Sequence, residues 1–168
     1  TPDKATLRSR LAKRYLLVQD YERAAEHYGV FVTLEPGNAA GWNNLGICYS
    51  RLEQFEKALP AFQKAIDLDP QFALAYAGLG DTYLNASAYG LMPMEKTIME
   101  ARKAAEKSIS LNSDQAYGHD VLAYVHLFYD WDWEAAKSGQ ESLWPPFERY
   151  QHHHHQDDRC QRQDRPAR

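Results

Sequence analysis

The sequence predicts an all-α solenoid of antiparallel helix pairs, about four in number, on three observations. Tyr15, Tyr49 and Tyr83 fall 34 residues apart, a period that belongs to helix-turn-helix arrays. Within residues 39–72, Trp42, Leu45, Gly46 and Tyr49 share one face of a first helix, and Ala58, Phe62, Ala65 and Leu68 share one face of a second. Leu34-Glu35-Pro36 and Leu68-Asp69-Pro70 then stop the second helix at the same place in successive units. Proline disfavours helical geometry in the residue before it and lacks the amide that a helix interior needs.

Unit one, residues 5–38, carries Leu11, Ala12, Tyr15, Ala24, Tyr28, Phe31 and Pro36, with helices expected at about 6–18 and 21–34. Arg8 stands at the tryptophan place, which suits an end unit with no neighbour to pack on, and Asp20 is a good N-cap for the second helix. Unit two, residues 39–72, is complete, with helices expected at 39–52 and 55–68 and a closing Pro70. Gly46 and Ala58 are small where a large side chain would force the two helices apart. Gly46 costs roughly 1 kcal/mol of helix propensity relative to alanine, so the close approach of a neighbouring helix is the reason to keep it.

Unit three, residues 73–115, opens with Tyr76, Leu79, Gly80 and Tyr83 and resumes at Ala101, Ala105, Ser108 and Leu111. From Tyr83 to Ala101 is 18 residues, against 9 from Tyr49 to Ala58, so nine residues are inserted at the turn inside the unit. Pro93 is placed as the first residue of a lengthened helix that runs to about Leu111 and projects beyond its neighbours. Unit four, residues 116–147, is degenerate. His119, Leu122, Ala123 and His126 keep the packing face, but Gly139 and Ser142 break the second helix before Leu143-Trp144-Pro145-Pro146 stops it. Residues 148–168 are rich in His, Gln, Asp and Arg and are expected to be disordered.

Composition bounds the function. With 44% apolar and 25% charged residues the chain is that of a soluble globular protein. A net charge of −4 supplies no basic field for nucleic acid or an anionic membrane, so neither is expected as a partner. No apolar run is long enough to span a bilayer. Thr1-Pro2-Asp3-Lys4 has no signal-peptide pattern and no initiator methionine, which fits a processed chain or one cut from something longer. Cys48 and Cys160 give neither a disulfide framework nor metal-ligand spacing, so a reducing, cytoplasmic setting is the expectation.

The run Trp42-x₂-Leu45-Gly46-x₂-Tyr49, then Ala58-x₃-Phe62, then Pro70, resembles the tetratricopeptide repeat. The resemblance covers about residues 5–143, strongest in unit two and confined to the first helix in unit four. It implies a right-handed superhelical solenoid that binds other proteins without catalysis. A finer resemblance lies in the run from Ala73 to Tyr83, in Tyr89-Gly90-Leu91-Met92-Pro93 and in the run from Leu127 to Trp133. These are similar to repeat regions of bacterial signalling proteins, which join them to a kinase, a nucleotide cyclase or a winged-helix regulator. None of those parts is in this sequence.

Such arrays present a concave surface built from the first helices. The stripe beside the packing stripe would hold Thr6, Ser9, Lys13 and Leu16, then Ala40, Asn43, Ile47 and Ser50. It continues through Leu74, Ala77, Asp81 and Leu84 and ends at Tyr117, Asp120, Tyr124 and Leu127. Lys13, Asn43, Ile47, Leu74, Asp81, Leu84, Tyr117, Asp120 and Tyr124 are the candidate peptide-binding residues, set against a solvated inner face with no partner. Asn44 matches the middle asparagine of the clamp with which some tetratricopeptide domains hold a chaperone's C-terminal carboxylate. The clamp's basic partners are missing, with Leu74 and Gly78 at their places in unit three, so chaperone-tail binding is not expected and Asn44 reads as structural.

Asp130-Trp131-Asp132-Trp133 is either a recognition hot spot or a tryptophan plug with an aspartate cap. The Tyr89–Pro93 insert is either a contact particular to this subclass or a shield for the neighbouring unit. His152-His153-His154-His155 has metal-ligand chemistry, but adjacent histidines do not converge on one ion, so no metal is expected. Cys48 falls in a packed helix as a small core residue. No phosphate loop or nucleophile elbow is present, and neither an enzyme nor a cofactor is expected. The expected function is therefore a protein-protein interaction scaffold. The alternative is a self-associating array, because an uncapped fourth unit would leave Leu122, Val125 and Leu127 under-covered.

Overall fold

The computed structural model describes residues 3–130. Its elements are α1 (Lys4–Leu17), α2 (Tyr21–Leu34), α3 (Ala39–Arg51), α4 (Phe55–Leu68), α5 (Ala73–Ala88), α6 (Met94–Leu111) and α7 (Ala116–Val125), then a π-helical turn, His126–Asp130. No strand occurs among the described residues. Successive helices pack on one another, and α3, α5 and α7 also form a row in which each touches the next.

The first three helices start on side-chain caps, and the second helices of successive units stop alike. Asp3, Asp20 and Asn38 cap α1, α2 and α3 by accepting from the backbone N–H three residues on. At the far ends, the N–H groups of Glu35, Asp69 and Asn112 donate to Phe31, Ala65 and Ser108. These are three copies of one exit. The turn inside units one to three also recurs, with a residue in the left-handed region at Gln19 (φ 60°), Glu53 (φ 59°) and Gly90 (φ 70°). Only at Gly90 does the residue type suit the geometry.

The insert is shared out rather than looped out. α5 is three residues longer than α3, the Tyr89–Pro93 connection two longer than Leu52–Gln54, and α6 four longer than α4. Pro93 immediately precedes α6 instead of opening it. The Tyr89 hydroxyl donates to Glu53, and its ring lies 5.3 Å from that of Phe55. The lengthened turn thus leans on unit two. The Asp130–Trp133 motif is described only at Asp130, whose carboxylate receives Arg102 Nη2 at 2.7 Å and faces His126 Nδ1 at 2.9 Å. Trp131–Trp133, the second helix of unit four, the histidine tract and Cys160 lie outside the described residues.

The core is a chain of three clusters, one for each pair of adjoining units. Trp42 and Tyr49 belong to the first two and Tyr83 to the second and third, so the landmark aromatics are the joints. They are braced from behind in a way that the spacing did not reveal. Trp42 Nε1 donates to Pro36 O at 3.0 Å, Tyr76 OH to Pro70 O at 3.4 Å, and His119 Nε2 lies 2.8 Å from Ser113 O. Each reaches back six residues to the turn between units. In unit one Arg8 bonds His27 instead, as befits an end.

Phe62 is the centre of unit two, 1% exposed, with Leu45, Ala58 and Ala65 also buried. A Cβ on Gly46 would stand 3.0 Å from its ring and one on Gly78 only 2.5 Å, so both α3 and α5 come close because each lacks a side chain there. Gly80 meets α6 and α7 in the same way, with a built Cβ 3.1 Å from Ala101 O and from Val121. The expected under-covered face of α7 is not observed. Val125 is fully buried and Leu122 and Leu127 are half-buried, while Tyr124 and Phe128 carry the exposed apolar surface.

Candidate functional site

The candidate residues sit on the row of first helices, which two hydrogen bonds tie side by side. Thr82 Oγ1 lies 3.3 Å from Ser50 Oγ, joining α3 to α5, and the Tyr117 hydroxyl donates to Asp81 Oδ2 at 2.6 Å, joining α5 to α7. Burial sorts the predicted stripe. Lys13 and Tyr124 are exposed, and Ile47, Leu74, Asp81, Tyr117 and Asp120 are half-buried. Asn43, at 1% exposure, and Leu84, at 6%, lie inside the array and offer no surface to a docked chain. Their positions on the stripe were legible, but depth is set by the neighbouring helix, which the periodicity of one helix does not encode.

Asn43 Nδ2 faces Asn44 Oδ1 at 3.4 Å, and its own Oδ1 has no partner among the described residues. Asn44 donates to the Tyr28 hydroxyl at 3.1 Å, tying α3 to α2. That is the structural role expected of it. Burial pushes the Tyr28 hydroxyl up to about 12, with Cys48 nearby adding to the shift. Burial likewise pushes the Cys48 thiol up to about 12, so the thiol stays protonated at neutral pH and serves as a small apolar residue.

The electrostatics of the row are uneven. At the α1 end, Thr6, Ser9, Arg10 and Lys13 line a cleft of about 340 Å³ together with Asn38 and the acidic Asp3 and Glu35. At the α5–α7 end stand Asp81 and Asp120, the nearest approach to a carboxylate pair in the sequence. Burial and then the Asp81 charge raise the Tyr117 hydroxyl far above its ordinary value, so it remains a donor to Asp81 throughout the neutral range. Burial foremost, and the Asp81 charge, also raise the Asp120 carboxyl, while His119 works against them. Tyr124 and Phe128 continue this end with ring centroids 4.5 Å apart. Phe128 was missed because the stripe was continued from Tyr124 through Leu127, three residues on, although the residue four on shares the same helix face.

Among the described residues, no group of three or more His, Cys, Asp or Glu side chains is placed to hold a metal ion. Among the same residues, no helix is long and apolar enough to cross a membrane.

Comparison with known proteins agrees with this architecture. The tetratricopeptide repeat family matches residues 39–72, the unit in which all landmarks are present. Tetratricopeptide repeat protein 37 of Xenopus laevis is 34% identical over 65 residues, which are 39% of this chain and 4% of that protein. Serine/threonine-protein phosphatase 5 of Mus musculus is 35% identical over 65 residues, 39% of this chain and 13% of that one. The chain therefore spans a small part of the curated relatives that it matches. Among solved structures, that of MamA superposes with a TM-score of 0.67 at 25% identity, covering 84% of this chain and 78% of that one. The first TPR of Spaghetti, bound to an HSP90 peptide, gives 0.64 at 20% identity, covering 74% of this chain and 91% of that one. The fold is the all-α helix-pair solenoid of tetratricopeptide-repeat domains.

Proposed function

We propose that this chain is a non-catalytic interaction module that docks a peptide or a partner helix along the row of α1, α3, α5 and α7. The observation that carries this reading is the row itself. It is pinned by Ser50–Thr82 and Tyr117–Asp81, yet keeps Ile47, Leu74, Tyr117 and Tyr124 partly accessible on one side. A surface already fixed by packing loses little ordering entropy when a flexible segment settles on it. The peptide held by the first TPR of Spaghetti is support by analogy of fold. The residues offered for contact are Lys13, Ile47, Leu74, Asp81, Tyr117, Asp120 and Tyr124.

The setting that we propose is cytoplasmic, within a larger bacterial signalling protein. Its support is the resemblance of the Ala73–Tyr83 run and the Tyr89–Pro93 insert to such regions. Self-association is the second reading, but the complete burial of Val125 removes part of the apolar face that favoured it.

A random-peptide display selection against the chain tests the main reading. A selected peptide is expected to lose affinity by about tenfold or more on Leu74→Lys, which places an ammonium group on the row, but not on Glu106→Lys, which lies on the exposed side of α6. Recovery of no binder, or equal sensitivity to both substitutions, would count against the row as the binding surface.

A further inference from the structure

We propose that the α5–α7 section of this row receives a basic side chain, so that the docked segment is a peptide carrying an arginine or lysine there. The inference rests on the peptide-binding reading and adds the chemistry of its occupant. Tyr117 ties Asp81 to α7 through Oδ2. Asp81 Oδ1 and both carboxylate oxygens of Asp120 make no hydrogen bond or ion pair within the described residues. The cationic groups facing them are Arg51 of α3 and His119 of α7. Arg51 is felt through space at Tyr117, but it pairs with neither carboxylate. His119 is engaged by Ser113 O. Two carboxylates thus share a half-buried section of the row with one unpaired guanidinium at a distance, while burial first and then the Asp81 charge raise the Asp120 carboxyl.

A docked cation relieves both carboxylates at once, and the surface beside them suits its shape. Tyr124 and Phe128 stand one and two turns beyond Asp120, 42% and 51% exposed, so apolar surface for a lysine or arginine stem adjoins the carboxylates. The opposite end of the row carries Arg10 and Lys13 beside Thr6 and Ser9. Asp3 and Glu35 line the same cleft, so that end is mixed in charge, whereas the α5–α7 section is acidic. An acidic segment is repelled where Asp81 and Asp120 stand.

The test uses the full chain and three pools of fluorescein-labelled ten-residue peptides, random except for a central Arg, Ala or Glu, titrated by fluorescence anisotropy at low and high salt. The Arg pool is expected to bind about tenfold more tightly than the Ala pool, in line with the strength of charge-assisted hydrogen bonds, and the Glu pool more weakly still. The advantage should shrink as salt screens the exposed part of the pairing. Asp120→Asn, which keeps the side-chain shape and leaves the Tyr117–Asp81 bond alone, is expected to bring the Arg and Ala pools to similar affinity. Equal binding of the Arg and Glu pools overturns the basic-occupant inference but spares the peptide-binding reading. Failure of all three pools overturns both. An Arg preference that survives Asp120→Asn and Asp81→Asn alike moves the cation away from α5–α7 and overturns the placement.

Discussion

Glycines that look alike in sequence have opposite meanings at the scale of the residue. Gly29 and Gly78 both lie inside helices, and propensity alone would replace either with alanine at a gain of about 1 kcal/mol. Around Gly29 a new Cβ meets nothing within 4 Å, whereas at Gly78 it would stand 2.5 Å from the Phe62 ring. Phe62 has little room to give, because it is 1% exposed and a Cβ on Gly46 would also stand 3.0 Å from its ring. Gly29→Ala should therefore stabilise by roughly 0.5–1 kcal/mol. Gly78→Ala should destabilise by about 1–3 kcal/mol as the ring or the α4–α5 spacing gives way. Thermal melts of the two variants, side by side, decide the matter. A shift of the same sign in both would mean that helix propensity, not the room around Phe62, governs these positions.

Helix pairing and turn placement were largely legible in the sequence, because both depend on short-range chemistry. The observed starts and stops of α2, α3 and α4 lie within a residue of those expected from Asp20, Pro36 and Pro70. The allocation of the inserted residues was not legible, since Asn85-Ala86-Ser87-Ala88 continues a helix as readily as it forms a loop. What decides it is the left-handed turn, which recurs in units one to three and falls on Gly90 in unit three. The burial of Asn43 and Leu84 was illegible for a related reason, as each is covered by residues from another element. The turn makes a prediction. Gly90→Ala forces an L side chain into φ 70°, at a cost of about 1–2 kcal/mol, although nothing crowds the position. Gly37→Ala, equally uncrowded and without a positive φ, should be nearly neutral. Chemical denaturation of both variants checks this, and a neutral Gly90→Ala would show that the lengthened turn does not need its left-handed residue.

Across the whole molecule, stability should be distributed along the array and not held by one centre. The three core clusters are joined by shared aromatics, and α1 packs chiefly on α2, with just Ala5 and Ala12 buried. Leu17 and Val18 at its end are 83% and 72% exposed, so little apolar area holds that end in place. Trp42 stands at the junction, packing on both the first and second clusters and braced by its hydrogen bond to Pro36. Truncation to Trp42→Ala removes that bracing and opens a cavity between units one and two, costing about 3–5 kcal/mol if the site stays open. The loss should be local. Native-state hydrogen exchange is expected to show amides of α1 and α2 losing protection first, while those of α5 and α6, held by Tyr83 and the third cluster, keep most of theirs. Loss to the same extent in all helices would instead mean that the array unfolds as one cooperative body. Rigidity of the row at α5–α7 would then depend on every unit, and the acidic end could not stay ordered when the α1 end opens.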